Sequence, residues 1–121
     1  MQYIDADFAR EFADDWIAAW NARDLDRVLA HYTDDFEFTS PVIVKVADEP
    51  TGTLRGKPAV RAYWEKALAS ISYLHFNMLD LLIGINTVTI YYRGHRGNVA
   101  ETFHFNATRK VHRADACYAN Y

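Results

Sequence analysis

The stretch DDWIAAWNARDLDRVLAHYTDDFEFTSP, residues 14–41, decides the fold because its hydrophobic spacing changes from a helical to a strand period within a few residues. It begins inside a segment whose aromatic side chains recur at every fourth position, as on the buried face of an amphipathic helix: Phe8, Phe12, Trp16 and Trp20. Asp5 or Asp7 could cap the start of this helix, since a short acidic side chain accepts hydrogen bonds from unpaired backbone N–H groups. The helix should end near residues 21–24 (NARD).

A second, shorter helix follows at once. Asp24 is its predicted N-cap, and its apolar positions have helical spacing: Leu25, Val28, Leu29 and Tyr32. The period then becomes two, because Phe36 and Phe38 alternate with polar residues. Pro41 interrupts this pattern, so we predict a short strand that bends and continues through residues 42–46 (VIVKV).

The rest of the chain predicts one more helix and a strand meander. Residues 47–57 are rich in turn residues and should form a loop, and a 3.6-residue pattern predicts a third helix over residues 58–71. Four strands follow, separated by short turns: residues 74–84, 87–94, 98–106 and 110–120. Short turns make consecutive strands antiparallel neighbours. This order predicts a single α+β domain over residues 1–121, with helices on one face of a curved antiparallel sheet.

Composition narrows the class of protein. The chain has 121 residues, of which 50% are hydrophobic and 15% aromatic, enough for a core with an apolar pocket inside it. We recognise no membrane-spanning run and no signal peptide, and Cys117 is the single cysteine, so we expect a cytoplasmic protein without a membrane partner. A net charge of −3 argues against nucleic acid as a partner. Since no metal-ligand spacing, phosphate loop or dinucleotide fingerprint is present, we expect neither a metal nor a cofactor.

Glu101 is an unusual residue for its position, because it falls among apolar side chains on one face of a predicted strand. Side chains alternate along a strand, which places Glu101 on the same face as three hydrophobic residues: Val99, Phe103 and Phe105. In an apolar pocket its pKa should rise, so that it could donate a hydrogen bond to a ligand carbonyl or act as a general acid or base. Alternatively, Glu101 reaches solvent at the strand end or pairs with an arginine such as Arg113.

The last strand supplies further candidates. Alternation puts four residues on one face: His112, Ala114, Ala116 and Tyr118. The two small alanines would leave space for a cavity, which His112 and Tyr118 would flank. His112 is the best candidate base if Glu101 is the acid, although an exposed or hydrogen-bonded structural histidine is the commoner case.

Aromatic residues on the predicted helices could also reach a ligand. Tyr32 and Tyr63 fall on inward-facing sides, and a buried tyrosine hydroxyl usually needs a hydrogen-bond partner. Each tyrosine could therefore present its hydroxyl to a ligand, and core packing is an equal alternative. Trp16 and Trp20 share one face of the first helix. For Trp20, core packing is the favoured interpretation.

Together these elements resemble the nuclear transport factor 2-like superfamily, in particular its SnoaL-like and ketosteroid isomerase-like members. The resemblance rests on residues 14–41, on GTLRGKPAVRAYWEKAL (residues 52–68) and on ETFHFNATRKVHRADACYA (residues 101–119). It implies a cone in which a strongly curved sheet wraps three helices around a deep apolar pocket. It also implies a homodimer formed through the outer face of the sheet.

Ketosteroid isomerases move a proton with a carboxylate just before a proline, and bind the enolate oxygen with a tyrosine on the first helix and a carboxylic acid on a late strand. The resemblance places Ser40, Trp16 and Glu101, respectively, at these positions. Serine cannot act as a base without an activating partner, and indole donates a hydrogen bond but does not titrate like a phenol. The ketosteroid isomerase reaction itself is therefore not expected.

Two functions fit these observations. The first is a cofactor-independent isomerase, cyclase or dehydratase acting on a small hydrophobic carbonyl ligand, with Glu101 and His112 as catalytic residues. Its ligand contacts would come from six further residues: Trp16, Tyr32, Ser40, Tyr63, Phe103 and Tyr118. The alternative is a non-enzymatic dimer that stores or presents a small hydrophobic molecule or supports a partner protein.

Overall fold

Residues 4–120 are described by the computed structural model, in which the helices and two strands come first and a run of four strands follows. The helices are α1 (Ala6–Asn21), α2 (Leu25–Leu29), α3 (Pro41–Val46) and α4 (Lys57–Ala69). The strands are β1 (Tyr32–Thr39), β2 (Thr53–Arg55), β3 (Asn77–Ile83), β4 (Thr87–Gly94), β5 (Gly97–Phe105) and β6 (Val111–Tyr118). None of the described helices has the length and apolar character needed to cross a membrane.

The strands form one curved, unclosed sheet in the order β2-β1-β6-β5-β4-β3. Strands β3 to β6 are consecutive antiparallel neighbours, as the short turns predict. Strand β1 lies beside β6 in parallel, and the short strand β2 pairs with the other edge of β1, inside the segment predicted to be a loop. The α+β class, with a curved sheet around helices from the N-terminal half, is confirmed.

The predicted starts of the first two helices are confirmed. The Asp5 carboxylate accepts a hydrogen bond from the Phe8 backbone N–H at 2.8 Å. The Asp24 carboxylate accepts one from the Arg27 N–H at 3.1 Å. Each bond satisfies a donor that the first helical turn leaves unpaired. Tyr32, which was expected to close the second helix, instead begins β1.

Residues 42–46 belong to the helix α3, so the predicted continuation of the strand is wrong. The Ser40 hydroxyl accepts a hydrogen bond from the Val42 N–H at 3.1 Å, and Pro41 occupies the first helical turn. Proline suits that position because an N–H there would have no helical partner. Burial of Val42 and Ile43 in the core outweighs the preference of β-branched residues for strands.

The core lies between the helices and the inner face of the sheet. Phe12 and Trp16 of α1 meet the ring of Phe103 on β5 edge to face, with centroids 4.9 and 5.1 Å away. Trp64 of α4 packs against Trp20 of α1 with a centroid separation of 5.0 Å. Aromatic pairs in this geometry add to the stabilisation from buried apolar area. Both long helices therefore bring large rings to the inside of the sheet.

Candidate functional site

A cavity of about 390 Å³ lies between the helices α1, α3 and α4 and the strands β4, β5 and β6. This volume suits a small organic molecule, since ligand pockets range from ~300 to ~1,000 Å³. Its wall is largely aromatic: Trp16, Trp20, Tyr63, Trp64, Phe76 and Tyr92. Within residues 4–120, Glu101 is the one acidic residue of the wall.

Glu101 reaches the cavity from the middle of β5. It is 4% exposed, and it shares its strand face with buried apolar residues. Its partners across the sheet, Ile90 on β4 and Ala116 on β6, are also buried. The alternative pairing with Arg113 does not occur, because Arg113 binds the Glu37 carboxylate at 2.6 Å. The Glu101 carboxyl therefore faces an apolar environment without a cationic partner among the described residues.

The Glu101 carboxyl is mostly neutral at pH 7. Burial raises its pKa to about 8, because an apolar surrounding disfavours the ionised form. A hydrogen bond from Tyr92 opposes this shift, and the negative charge of Asp115 adds to it. The Tyr92 hydroxyl donates to Glu101 Oε1 at 3.2 Å. The neutral carboxyl carries an acid proton that it can donate to a ligand.

Two phenols provide further donors. Tyr63 and Tyr118 line the cavity, and burial raises the pKa of both hydroxyls. The Ser40 hydroxyl interacts with each phenol and opposes the rise. Ser40 is 3% exposed and lies behind these tyrosines, outside the cavity wall. The tyrosines stay protonated at neutral pH and can hydrogen-bond a ligand oxygen, whereas Ser40 holds the start of α3 next to them.

Trp16 and Tyr32 form an internal hydrogen bond. Trp16 Nε1 donates to the Tyr32 hydroxyl at 3.0 Å, and both residues are buried. The ring of Trp16 lines the cavity, but Tyr32 and Phe103 do not. Phe103 is fully buried in the core. A ligand would therefore meet the face of Trp16, while Tyr32 and Phe103 support that ring from behind.

His112 lies away from the cavity, which corrects its expected position. The pairing of β5 with β6 contains a bulge, in which Phe105 opposes Val111. The next pair joins His104 to Arg113, so His112 is the extra residue. The bulge interrupts the alternation, with the result that Val111 is buried and His112 is exposed. His112 does not line the cavity.

Several aromatic wall residues were not selected as ligand contacts from the sequence, among them Tyr92, Trp64 and Trp20. Tyr92 shares the inward face of β4 with Val88 and Ile90, so the alternation that selected Glu101 also predicts its direction. Trp64 is buried on α4 and Trp20, for which core packing was favoured, also lines the cavity. The Trp20 indole N–H has no hydrogen-bond acceptor among the described residues. Helical spacing predicts that these tryptophans are buried, but not that they border a cavity.

Exposed basic side chains line the solvent edge of the cavity. His95 and Arg96 form the two-residue turn between β4 and β5, and Lys66 lies in the last turn of α4. We call these three residues the basic rim. Gly97, directly after Arg96, has a φ of 104°, a conformation that favours glycine and completes the tight turn. No group of side chains suited to hold a metal ion occurs in residues 4–120.

Comparison with known proteins extends over most of the chain. Residues 13–119 match the sequence profile of the SnoaL-like domain. The chain is 49% identical to a SnoaL-like protein of unknown function from Burkholderia thailandensis, over 98% of this chain and 100% of the other. The two structures agree with a TM-score of 0.94. No curated protein matches the sequence significantly.

More distant solved structures share the fold. A protein from Catenulispora acidiphila with a ketosteroid isomerase-like fold, in complex with trimethylamine, is 16% identical with a TM-score of 0.72. That match covers 89% of this chain and 85% of the other. A Sinorhizobium meliloti protein provisionally designated a polyketide cyclase is 11% identical with a TM-score of 0.71, over 88% and 94% of the two chains. At these identities the likeness concerns the fold alone.

Proposed function

The chain belongs to the SnoaL-like domain family of the nuclear transport factor 2-like superfamily, and from this we propose that its cavity binds a small hydrophobic carbonyl compound and performs cofactor-independent acid–base chemistry on it. Isomerisation, aldol-type cyclisation and dehydration belong to this chemistry, because each moves a proton next to a carbonyl whose oxygen must be stabilised. The fold supports many activities, so the proposal depends on the residues of the cavity.

One observation carries the proposal: a buried carboxyl group, mostly neutral at pH 7, lies in a largely aromatic wall as its one acidic residue within residues 4–120. Tyr92 holds Glu101 through Oε1, and the acid proton of Glu101 is donated to a ligand carbonyl. As that carbonyl becomes an enol, Glu101 protonates its oxygen and the α-proton passes to water. Tyr63 and Tyr118 stabilise the developing negative charge by hydrogen bonds. Glu101 then regains its proton from solvent.

The cavity differs from that of a ketosteroid isomerase at the position of the base. Ser40 stands where the resemblance implies a proton-transferring carboxylate, and its hydroxyl is the N-cap of α3. Trp16 stands where a tyrosine is implied, and its N–H is used by Tyr32. We therefore propose a reaction driven by acid catalysis at the carbonyl oxygen rather than by a strong base at carbon.

The test measures exchange of the α-protons of 1-tetralone in D₂O by ¹H NMR. Glu101→Gln keeps the shape of the side chain but cannot transfer a proton, so we expect exchange to slow by about 10²-fold or more. Binding of 1-tetralone, measured by thermal shift, should persist. Glu65→Gln is the matched control, since Glu65 is exposed on α4 outside the cavity. Equal exchange by wild type and Glu101→Gln would contradict the role of Glu101, and binding without exchange would favour the non-enzymatic alternative.

We also propose that the protein is a homodimer. Large exposed apolar side chains occur on β3, β4 and the turn between them: Leu79, Leu82, Ile83, Ile85 and Tyr91. Of these, Leu82 and Tyr91 lie on the outer face of the sheet, since the neighbouring Ile90 and Tyr92 are buried on its inner face. An exposed apolar patch on a sheet is a common protein contact surface. A second copy of the chain, presenting the same patch, would cover it through a symmetric contact.

A further inference from the structure

We propose that the ligand of this cavity is an anionic carbonyl compound, a ring system whose ketone lies at Glu101 and whose carboxylate lies at the basic rim of Lys66, His95 and Arg96. This inference rests on the proposed function, because it names the substrate class of the same cavity. Three observations support it: the charges of the residues in the cavity wall, the electrostatic effect of Arg96 inside the cavity, and the distance along β5 between the basic rim and Glu101.

The cavity wall carries charge of one sign at neutral pH. Glu101, its one acidic residue within the described range, is mostly neutral. Lys66 and Arg96 are cations, and neither forms an ion pair with a carboxylate in residues 4–120. Lys66 Nζ donates instead to the backbone carbonyl of Val46 at 3.3 Å. An anion at the rim would therefore meet positive charge that no carboxylate of residues 4–120 neutralises.

The positive charge of the rim acts inside the cavity. The Arg96 guanidinium opposes the effect of burial on the pKa of both Tyr63 and Tyr118, which line the wall. Its field therefore reaches the space that a ligand would occupy, as expected for a cleft with apolar walls. A carboxylate near these phenols would be stabilised by the same field.

The spacing of the two polar ends sets the length of the ligand. Gly97 and Glu101 are four residues apart along β5, which corresponds to about 13 Å of extended strand. The side chains of Arg96 and Glu101 both line the cavity and occupy part of that distance. A two-ring compound with polar groups at its opposite ends spans the remainder, and a cavity of about 390 Å³ accommodates it.

The test compares 1-tetralone-6-carboxylate with its neutral amide, 1-tetralone-6-carboxamide, by isothermal titration calorimetry. The two probes share rings and ketone, so their affinity ratio reports the charge alone. We expect the carboxylate to bind the wild-type protein about fivefold more tightly at low ionic strength, the upper range for an exposed ion pair. The preference should disappear near 1 M salt, where the screening length falls to about 3 Å.

Arg96→Gln should reduce the preference for the carboxylate, because one of the cations of the rim is removed, and leave the affinity for the amide unchanged. Arg93→Gln is the matched control, because it removes the same charge from an exposed site on β4 outside the cavity. Equal binding of both probes by wild type, or an unchanged preference in Arg96→Gln, would overturn the proposal. Parallel loss of affinity for both probes in Arg96→Gln would also overturn it, since Arg96 would then act through packing.

The binding test and the proton-exchange test can fail independently of each other. A carboxylate preference that depends on Arg96, without exchange of 1-tetralone that depends on Glu101, would support the anion site and refute the catalytic proposal. Exchange that depends on Glu101 without any carboxylate preference would refute the anion site and leave the catalytic proposal in place.

Discussion

At the scale of single residues, Glu101 couples the stability of the fold to the protonation of the cavity. Its pKa rises from an ordinary value of 4.5 to about 8 because the side chain is removed from water. Between these two values the folded chain holds a proton that the unfolded chain has lost. The same burial that prepares an acid for catalysis therefore makes stability depend on pH.

This coupling predicts that the free energy of unfolding falls as the pH rises from about 5 to about 8. Because the folded-state pKa is raised, the contribution of Glu101 is complete below about pH 4.5 and is lost by about pH 8. The slope should be on the order of 1 kcal/mol per pH unit. Urea unfolding of wild type and Glu101→Gln across this range measures it, and the variant should lack the slope. Parallel curves for the two proteins would show that Glu101 is not held neutral.

Tyr92 is a positioning residue, and its removal should raise the pKa of Glu101 further. The hydrogen bond from its hydroxyl to Oε1 stabilises the ionised carboxylate, so Tyr92→Phe removes an effect that lowers the pKa. The Glu101 carboxyl carbon, followed by ¹³C NMR during a pH titration, reports the change. Tyr91→Phe serves as the control, because the Tyr91 hydroxyl accepts a hydrogen bond from Asn98 and is remote from the carboxyl. Identical Glu101 titrations in Tyr92→Phe and wild type would contradict the contact.

At the scale of secondary-structure elements, α3 shows how one local pattern can indicate two structures. The alternation before Pro41 and the β-branched residues after it favour a strand. Ser40 and Pro41 are equally a helix start, since serine caps the first turn and proline fits inside it. Burial of Val42 and Ile43 favours the helix. That burial depends on contacts with distant parts of the chain, which a local sequence pattern does not reveal.

Ser40→Ala should destabilise the protein by about 1 kcal/mol, because the Val42 N–H loses its acceptor at the start of α3. The same change should raise the pKa of Tyr63 and Tyr118, since the Ser40 hydroxyl lowers both. Denaturant unfolding and an ultraviolet titration of the tyrosines measure the two effects. Ser72→Ala, at an exposed position outside the cavity, is expected to change neither. Unaltered stability in Ser40→Ala would mean that the cap is dispensable.

The bulge in β6 explains why the second catalytic candidate was placed wrongly. Alternation assigns faces correctly along β5, where pairing with β4 is regular. In β6 an extra residue is accommodated between Val111 and Arg113, so that counting from Tyr118 back to His112 crosses an irregularity. The register of β6 depends on β5 and on its parallel neighbour β1. Strand β1 is distant from β6 in sequence, and the alternation within β6 itself does not mark the bulge.

At the scale of the whole molecule, the exposed apolar patch predicts a dimer of twice the 14.0 kDa chain. Light scattering after size-exclusion chromatography measures the mass. Leu82→Asp places a charge in the patch at a residue that is 52% exposed, and should yield monomers. Ala107→Asp, in the exposed turn between β5 and β6, should leave the dimer intact. A monomeric wild-type protein at micromolar concentration would refute the dimer.

Sequence alone determined the features that depend on near neighbours in the chain. The aromatic spacing of α1, the caps at Asp5 and Asp24 and the inward direction of Glu101 follow from helix and strand geometry over a few residues. Tertiary structure decided the rest. It joined Tyr92 to Glu101, brought Arg96 to the edge of the cavity and moved His112 away from it. These placements follow from strand register and from packing between distant segments, which form only when the whole sheet curves around the helices.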